Sequence, residues 1–202
     1  MHLLKKQLVA GCIMLGLGIA PQLANADANS DTGSGSLSAA AHLNLRVVIP
    51  GFLLFRVGSA GATVDTINFD MTACVTGGSC TVGNSTAVSG TGGDAAAGTG
   101  ASVALFSNAG AITITESNNT GGSGLVDGGN SISLNEISVI SDNGSLDTPT
   151  LSDAGGKTSS PALNGGSNVT NQTAVWTYSY DNTTVPDPGD YNVEITYTAA
   201  SL

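Results

Sequence analysis

Residues 174–198, AVWTYSYDNTTVPDPGDYNVEITYT, decide the fold. In the second half Tyr191, Val193, Ile195 and Tyr197 fall on one row, and Asn192, Glu194, Thr196 and Thr198 on the other. That is the period-2 pattern of a strand with one buried and one wet face. In the first half Ala174, Trp176, Tyr178 and Tyr180 share a row, against Thr177 and Ser179. Residues 181–190 carry two prolines, a glycine and several Asp, Asn and Thr, which is turn chemistry. The pattern predicts two antiparallel neighbouring strands of a β-sandwich with Trp176 at its centre.

Working outward, residues 131–140 (SISLNEISVI) change phase, Ile132 and Leu134 being even and Ile137 and Val139 odd, which predicts a β-bulge near Asn135 and Glu136. Residues 102–106 and 111–115 read as a hairpin with Ile112 and Ile114 inward. Residues 64–71 alternate through Ile67, Phe69 and Met71 into a cysteine hairpin, and 81–89 is a weak strand. At the start, Leu37, Ala39, Ala41, Leu43, Leu45, Val47 and Ile49 hold every odd position, predicting a long half-buried strand that stops at Pro50-Gly51. Residues 52–57 (FLLFRV) read as a short strand covered on both sides. No stretch keeps a helical period over three turns, and 28 glycines oppose long helices. The prediction is an all-β protein: one antiparallel sandwich over 37–202 after a flexible acidic Gly/Ser tail at 27–36. Its expected core is Trp176, Tyr191, Val193, Ile195, Ile112, Ile114, Leu43 and Leu45.

Residues 1–26 read as a secretory signal peptide, with Lys5 and Lys6, an apolar run over 8–20, and a small-x-small site at Ala24-Asn25-Ala26. The run is too short and wrongly flanked to span a membrane. Val9-Ala10-Gly11-Cys12 offers a second reading with Cys12 lipidated. The apolar run continues past Cys12, so cleavage after Ala26 is preferred. A secreted protein follows, in the periplasm, at the cell surface or outside the cell. The mature chain keeps Arg46, Arg56 and Lys157 against fifteen acids, a formal charge of −12. Such a surface repels nucleic acid and anionic membranes. Cys74 and Cys80, in CVTGGSC, are placed to form a disulfide worth about 2 kcal/mol in so short a loop.

Catalytic chemistry has few bearers. His42 is the only histidine of the mature chain and sits on the wet row, so a His-based triad or a zinc site is not expected. No motif pairs Glu116, Glu136 or Glu194 as glycosidase acids. No enzyme and no cofactor are expected. The loop carboxylates Asp127, Asp142, Asp187 and Asp190 are candidate calcium ligands, although none fits an EF-hand pattern and Asx-turns explain them equally well. Tyr180, beside its loop, is the candidate exposed ring for sugar stacking. Asn-x-Ser/Thr triplets occur at Asn84, Asn118, Asn143, Asn168, Asn171 and Asn182.

Asp187-Pro188-Gly189-Asp190-Tyr191-Asn192-Val193 resembles the D-x-G-x-Y-x-C segment of immunoglobulin-like domains, with Val193 in the cysteine's place. The closing run PGDYNVEITYT is also similar to the last strand of bacterial pilin-like surface subunits of the fimbrial, spore-coat-U-like and WxL-like types. These resemblances imply an immunoglobulin-like or pilin-like sandwich. They also imply a fimbria-like structural subunit or cell-adhesion protein whose partners are other copies of itself or related surface subunits. In pilins of this type an extended N-terminal segment of one subunit completes the sheet of the next. Residues 27–36 lack the apolar alternation a donor strand needs, whereas 37–49 have it through Leu37, Leu43, Leu45, Val47 and Ile49. The alternative is a monomeric extracellular binding module for glycan or calcium.

Overall fold

The computed structural model describes residues 29–61 and 63–202, so the signal peptide expected over 1–26 and Cys12 lie outside the described residues. The chain divides into two units, Met1–Ile49 and Pro50–Leu202. In the first, residues 29–49 form neither strand nor helix, which corrects the long strand expected over 37–49. The second unit is all-β, and it begins at Pro50 rather than at Leu37. Its strands are β1 (Leu53–Val57), β2 (Ile67–Asn68), β3 (Val88–Ser89), β4 (Thr91–Gly92), β5 (Gly100–Ser107) and β6 (Ile112–Asn118). They continue with β7 (Leu125–Asp127), β8 (Asn130–Ile132), β9 (Ile137–Ser141), β10 (Thr158–Ser159), β11 (Thr170–Tyr180) and β12 (Ile195–Ser201). One short helix, α1 (Met71–Thr76), interrupts them.

The main sheet is built on β11. One of its edges pairs with β5 along Thr170 to Thr177 and with β3 at Ser179 and Tyr180. The other pairs with β9 from Trp176 to Tyr180, and β1 lies outside β5. A second sheet has the order β10-β6-β12, and two ribbons pair β2 with β4 and β7 with β8. All these ladders are antiparallel.

Two expected neighbours turn out to lie in opposite sheets. β11 and β12 face each other across the core: the Trp176 and Tyr197 rings meet edge-on at 5.1 Å, and the Tyr178 and Tyr197 hydroxyls are 3.2 Å apart. The connection over 181–190 is far longer than a hairpin needs, so the chain crosses between layers. Its start is held at a distance from β12: Asp181 N–H donates to the Glu136 carbonyl at 2.7 Å, and Thr183 N–H to the Glu136 carboxylate at 2.7 Å. β5 and β6 likewise form an arch and not a hairpin, because Asn108 between them is bonded to residues 50 and 52 on the β1 side.

The phase change near Asn135 is also solved differently. Instead of a bulge, a 3-10 turn, Leu134–Glu136, separates β8 from β9. Ser133 caps it, and the Asp153 carboxylate accepts from Leu134 N–H at 2.6 Å and from Ser133 Oγ at 2.8 Å. The cysteine hairpin is replaced by α1 and a turn, which bring Cys74 and Cys80 to disulfide distance with 5.2 Å between Cα atoms. Residues 81–89 give only β3. From 64–71 only β2 is a strand, yet Ile67, Phe69 and Met71 do pack on the core.

That core joins Val103 and Leu105 of β5, Ile112 and Ile114 of β6, Leu146, and Trp176 of β11. Trp176 is fully enclosed, and its indole N–H donates to the Leu146 carbonyl at 3.1 Å, so burying it strands no polar group. β5 runs so close to it that a side chain on Gly100 would collide with the Trp176 carbonyl. Val193 and Ile195 join the core from its margin, while Leu43 and Leu45 are exposed in the other unit and belong to no core. Tyr191 does not reach the core cluster. It makes a corner instead, its hydroxyl donating to the Asp187 carbonyl at 2.8 Å, four residues upstream.

Candidate functional site

The residues with no evident structural task are apolar ones in water. In the first unit Leu37, Leu43, Leu45, Val47, Val48 and Ile49 are exposed, the last five by 69–86%. Fully burying a side chain of this size is worth about 1.5–3 kcal/mol, so the segment carries a large unused driving force for association. Ile49 precedes Pro50, which biases it to extended backbone.

In the second unit four of the exposed large apolar residues, Phe52, Leu53, Leu54 and Phe106, lie at β1 and its partner β5, while Val64, Val75, Ile140, Leu163, Val185 and Leu202 are exposed elsewhere. The cover expected for β1 on both sides is not observed, since Leu53 and Leu54 are exposed; among the described residues β1 pairs only with β5, so its other edge has no ladder. The phase of that ladder follows from its ends. Asn108 N–H donates to the Phe52 carbonyl, and Gly58 N–H to the Ser102 carbonyl. Antiparallel pairs exchange hydrogen bonds at alternate residues, so Leu54 and Arg56 bond to β5. Leu53, Phe55 and Val57 turn their N–H and C=O groups to the open side. Their side chains sit opposite Ser107, Leu105 and Val103, on the core face. On the outer face Leu54 and Phe106 are exposed, and the Phe52 and Phe106 rings meet at 5.0 Å. β1 is therefore apolar on its core face and carries Leu54 beside the exposed Arg56 on its outer face.

Asn108 anchors the entry to this strand. Its Oδ1 accepts from Phe52 N–H at 2.8 Å, and its Nδ2 donates to the Pro50 carbonyl at 2.9 Å. Ser107 Oγ donates to the Phe52 carbonyl at 2.9 Å. Pro50 and Phe52 are thus held as an extension of β1 through the Pro50 carbonyl and the Phe52 N–H and carbonyl. Nothing in the sequence marked Asn108 for this work, because its partners lie more than fifty residues away.

The other candidates fare variously. His42 is exposed in the first unit. Glu116, on β6 opposite Tyr197, is fully buried: Oε1 accepts from Lys157 N–H at 3.2 Å, and Oε2 has no hydrogen-bond partner among the described residues. Burial pushes the Tyr178 phenol above its ordinary value of 10.0, with the Tyr197 hydrogen bond opposing. Tyr197 is pushed well above 10.0, by burial first and then by Tyr178 and the Glu116 charge. Glu136 is buried and accepts from both the Thr183 N–H and the Thr183 hydroxyl, a clasp on the long connection. Glu194 is exposed, one residue before β12.

Tyr180 is buried on the core face of β11 and offers no exposed ring, which corrects its place as a stacking residue. Asp127 accepts from Asp190 N–H at 3.2 Å, and Asp142 accepts from Val175 N–H at 2.8 Å on a different strand pair. Among the described residues no three His, Cys, Asp or Glu side chains are grouped to hold a metal ion. An open groove of about 550 Å³ lies beside β7, lined by Asn119, Thr120, Val126, Asn192, Val193 and Glu194. Asn182 is buried in the left-handed region at φ 54°. Its amide donates to the Thr81 carbonyl and to Asn84 Oδ1, both at 2.9 Å, and accepts from Gly83 N–H at 2.8 Å.

Compared with protein-family models, curated proteins and solved structures, the chain matches none. Among the described residues no helix is long and apolar enough to cross a membrane.

Proposed function

We propose that the protein is a secreted cell-surface structural or adhesive subunit, fimbria-like and without catalytic activity, which assembles with copies of itself or related subunits. The observation that carries this reading is the exposed alternating apolar row Leu43, Leu45, Val47 and Ile49 in a segment without a ladder. A side-chain row of that kind is what strand addition uses: main-chain pairing supplies affinity and alternate pockets supply register. The acidic charge agrees with export and solubility and disfavours nucleic-acid and anionic-membrane partners. A second reading, the monomeric binding module for glycan or calcium, is supported by the open groove in which Asn119, Thr120, Asn192 and Glu194 stand beside Val126 and Val193.

The test is size-exclusion chromatography of the mature chain with electron microscopy of the largest fraction. Oligomers or filaments are expected, with matching filaments on the producing cells. A clean monomer at high concentration and bare cells would defeat the subunit reading and leave the binding module.

A further inference from the structure

We propose that the outer face of the main sheet, from the Phe52 and Phe106 rings to Arg56 and Asp142, binds a neutral oligosaccharide; this rests on the glycan-binding reading above and moves its site from the groove to the sheet. β5 lies between β1 and β11, so the two ladders fix which residues share that face. Leu54, Phe106 and Asn171 stand in one row across the three strands, and Arg56, Ala104 and Thr173 in the next. Ser102 and Val175 form a third. Outward residues recur about every 6.8 Å along a strand, so the three rows span about 13 Å, the reach of a short sugar chain. At one end the Phe52 and Phe106 rings meet at 5.0 Å, and both are exposed, as is Leu54.

The two ends of this face offer the two kinds of contact a sugar uses. Trp176, Tyr178 and Tyr180 are buried, whereas the Phe52 and Phe106 rings stay in water, and exposed apolar patches of this kind mark binding sites. Their π faces suit the C–H side of a pyranose ring. Asn171, across from Phe106, spends its backbone N–H on Asn164 Oδ1 at 3.0 Å and its side-chain amide on no protein group among the described residues. That amide is placed to meet a hydroxyl. Toward the other end the small Ala104 and Ser102 leave an open depression of about 290 Å³, lined also by Arg56, Asp142, Thr173 and Val175. Asp142 accepts from Val175 N–H at 2.8 Å with one carboxylate oxygen, which leaves the other to accept while Arg56 donates. The Ser102 and Thr173 hydroxyls do either, so the depression matches a polyol. Its two opposite charges leave it without net charge. Pro50–Leu202 as a whole carries thirteen carboxylates against Arg56 and Lys157, which disfavours an acidic glycan. An apolar protein surface would bury Arg56 and Asp142 without partners, which is costly.

The full mature chain tests this on an array of neutral and uronic-acid-containing oligosaccharides, with calorimetry on the strongest hit. Neutral members are expected to bind and acidic ones to bind less. Phe106→Ala and Arg56→Ala, both on the exposed face, are each expected to weaken binding by about tenfold with an unchanged urea midpoint. Loss of binding in Glu194→Gln, at the groove, but not in Phe106→Ala would overturn the sheet assignment and leave the glycan reading standing. A wild type that binds no sugar would overturn both, and a preference for acidic members would overturn the assigned ligand class. Should Phe106→Ala not fold, NMR of the wild type titrated with the strongest neutral hit decides. The Phe106 ring, the Ala104 methyl and the Asn171 side-chain amide should shift together. Unchanged signals at those three groups, with sugar bound, would refute the proposal.

Discussion

β11 and residues 37–49 are the two longest alternating stretches of the chain, and they end in opposite environments. On β11 the row Ala174, Trp176, Tyr178 and Tyr180 is buried. In the N-terminal stretch the row Leu43, Leu45, Val47 and Ile49 is exposed. Composition does not separate them, since both rows are apolar and both intervening rows are mainly polar. The number of partners does. β11 has β5 and β3 on one edge, β9 on the other, and Tyr197 facing it from the second sheet. Residues 37–49 have no ladder. Alternation sorts side chains onto faces, but covering a face takes a second strand at the right place.

This contrast can be broken by substitution. The largest effect is expected at Trp176→Ala, which empties an enclosed indole site and frees the Leu146 carbonyl. It should cost about 3–5 kcal/mol by urea unfolding. A loss below about 1 kcal/mol would mean that the core does not centre on Trp176. Replacing both Cys74 and Cys80 by Ser should cost about 2 kcal/mol, because the bond closes a short loop at the edge of the fold. A fully unfolded variant would show the loop to be more central than its position implies. Alkaline pH should act next. Tyr178 and Tyr197 hold their protons more tightly folded than unfolded, so stability is flat below the ordinary tyrosine value of 10.0 and falls as pH rises past it. Urea midpoints at about pH 9 and about pH 11 check the sign, and Tyr197→Phe should flatten the fall. The smallest change is expected at Leu45→Ala in the monomer, within about 0.5 kcal/mol. A drop of several kcal/mol there would place Leu45 in a core after all.

The all-β class, the two half-buried rows of the last two long strands and the place of Trp176 were legible because each depends on local period and residue type. Pairing was not legible, since register between distant strands leaves no local mark. The connections over 107–111 and 181–190 look like hairpin turns by composition. Asn108 and Glu136 decide otherwise, each through contacts more than forty residues away in sequence. The phase break at Asn135 was visible, yet period alone cannot tell a bulge from a 3-10 turn. Asp153 settles that from twenty residues downstream. For the candidate site, the apolar row over 37–49 could be read directly. The open edge of β1 could not, because FLLFRV carries the same letters whether one neighbour flanks it or two.

The burial of Asn182 has a practical consequence for making the protein. Asn182-Thr183-Thr184 is an acceptor triplet for N-linked sugar, and in a eukaryotic secretory host it would be scanned while the chain is still unfolded. A glycan added then would occupy the amide nitrogen that later holds Thr81 and Asn84, and would have to fit where a fully enclosed side chain sits. Such a host should secrete two populations, an unmodified native form and a sugar-bearing form unable to close the 81–86 loop. Bacterial expression, or Thr184→Ala in a eukaryotic cell, removes this split at Asn182.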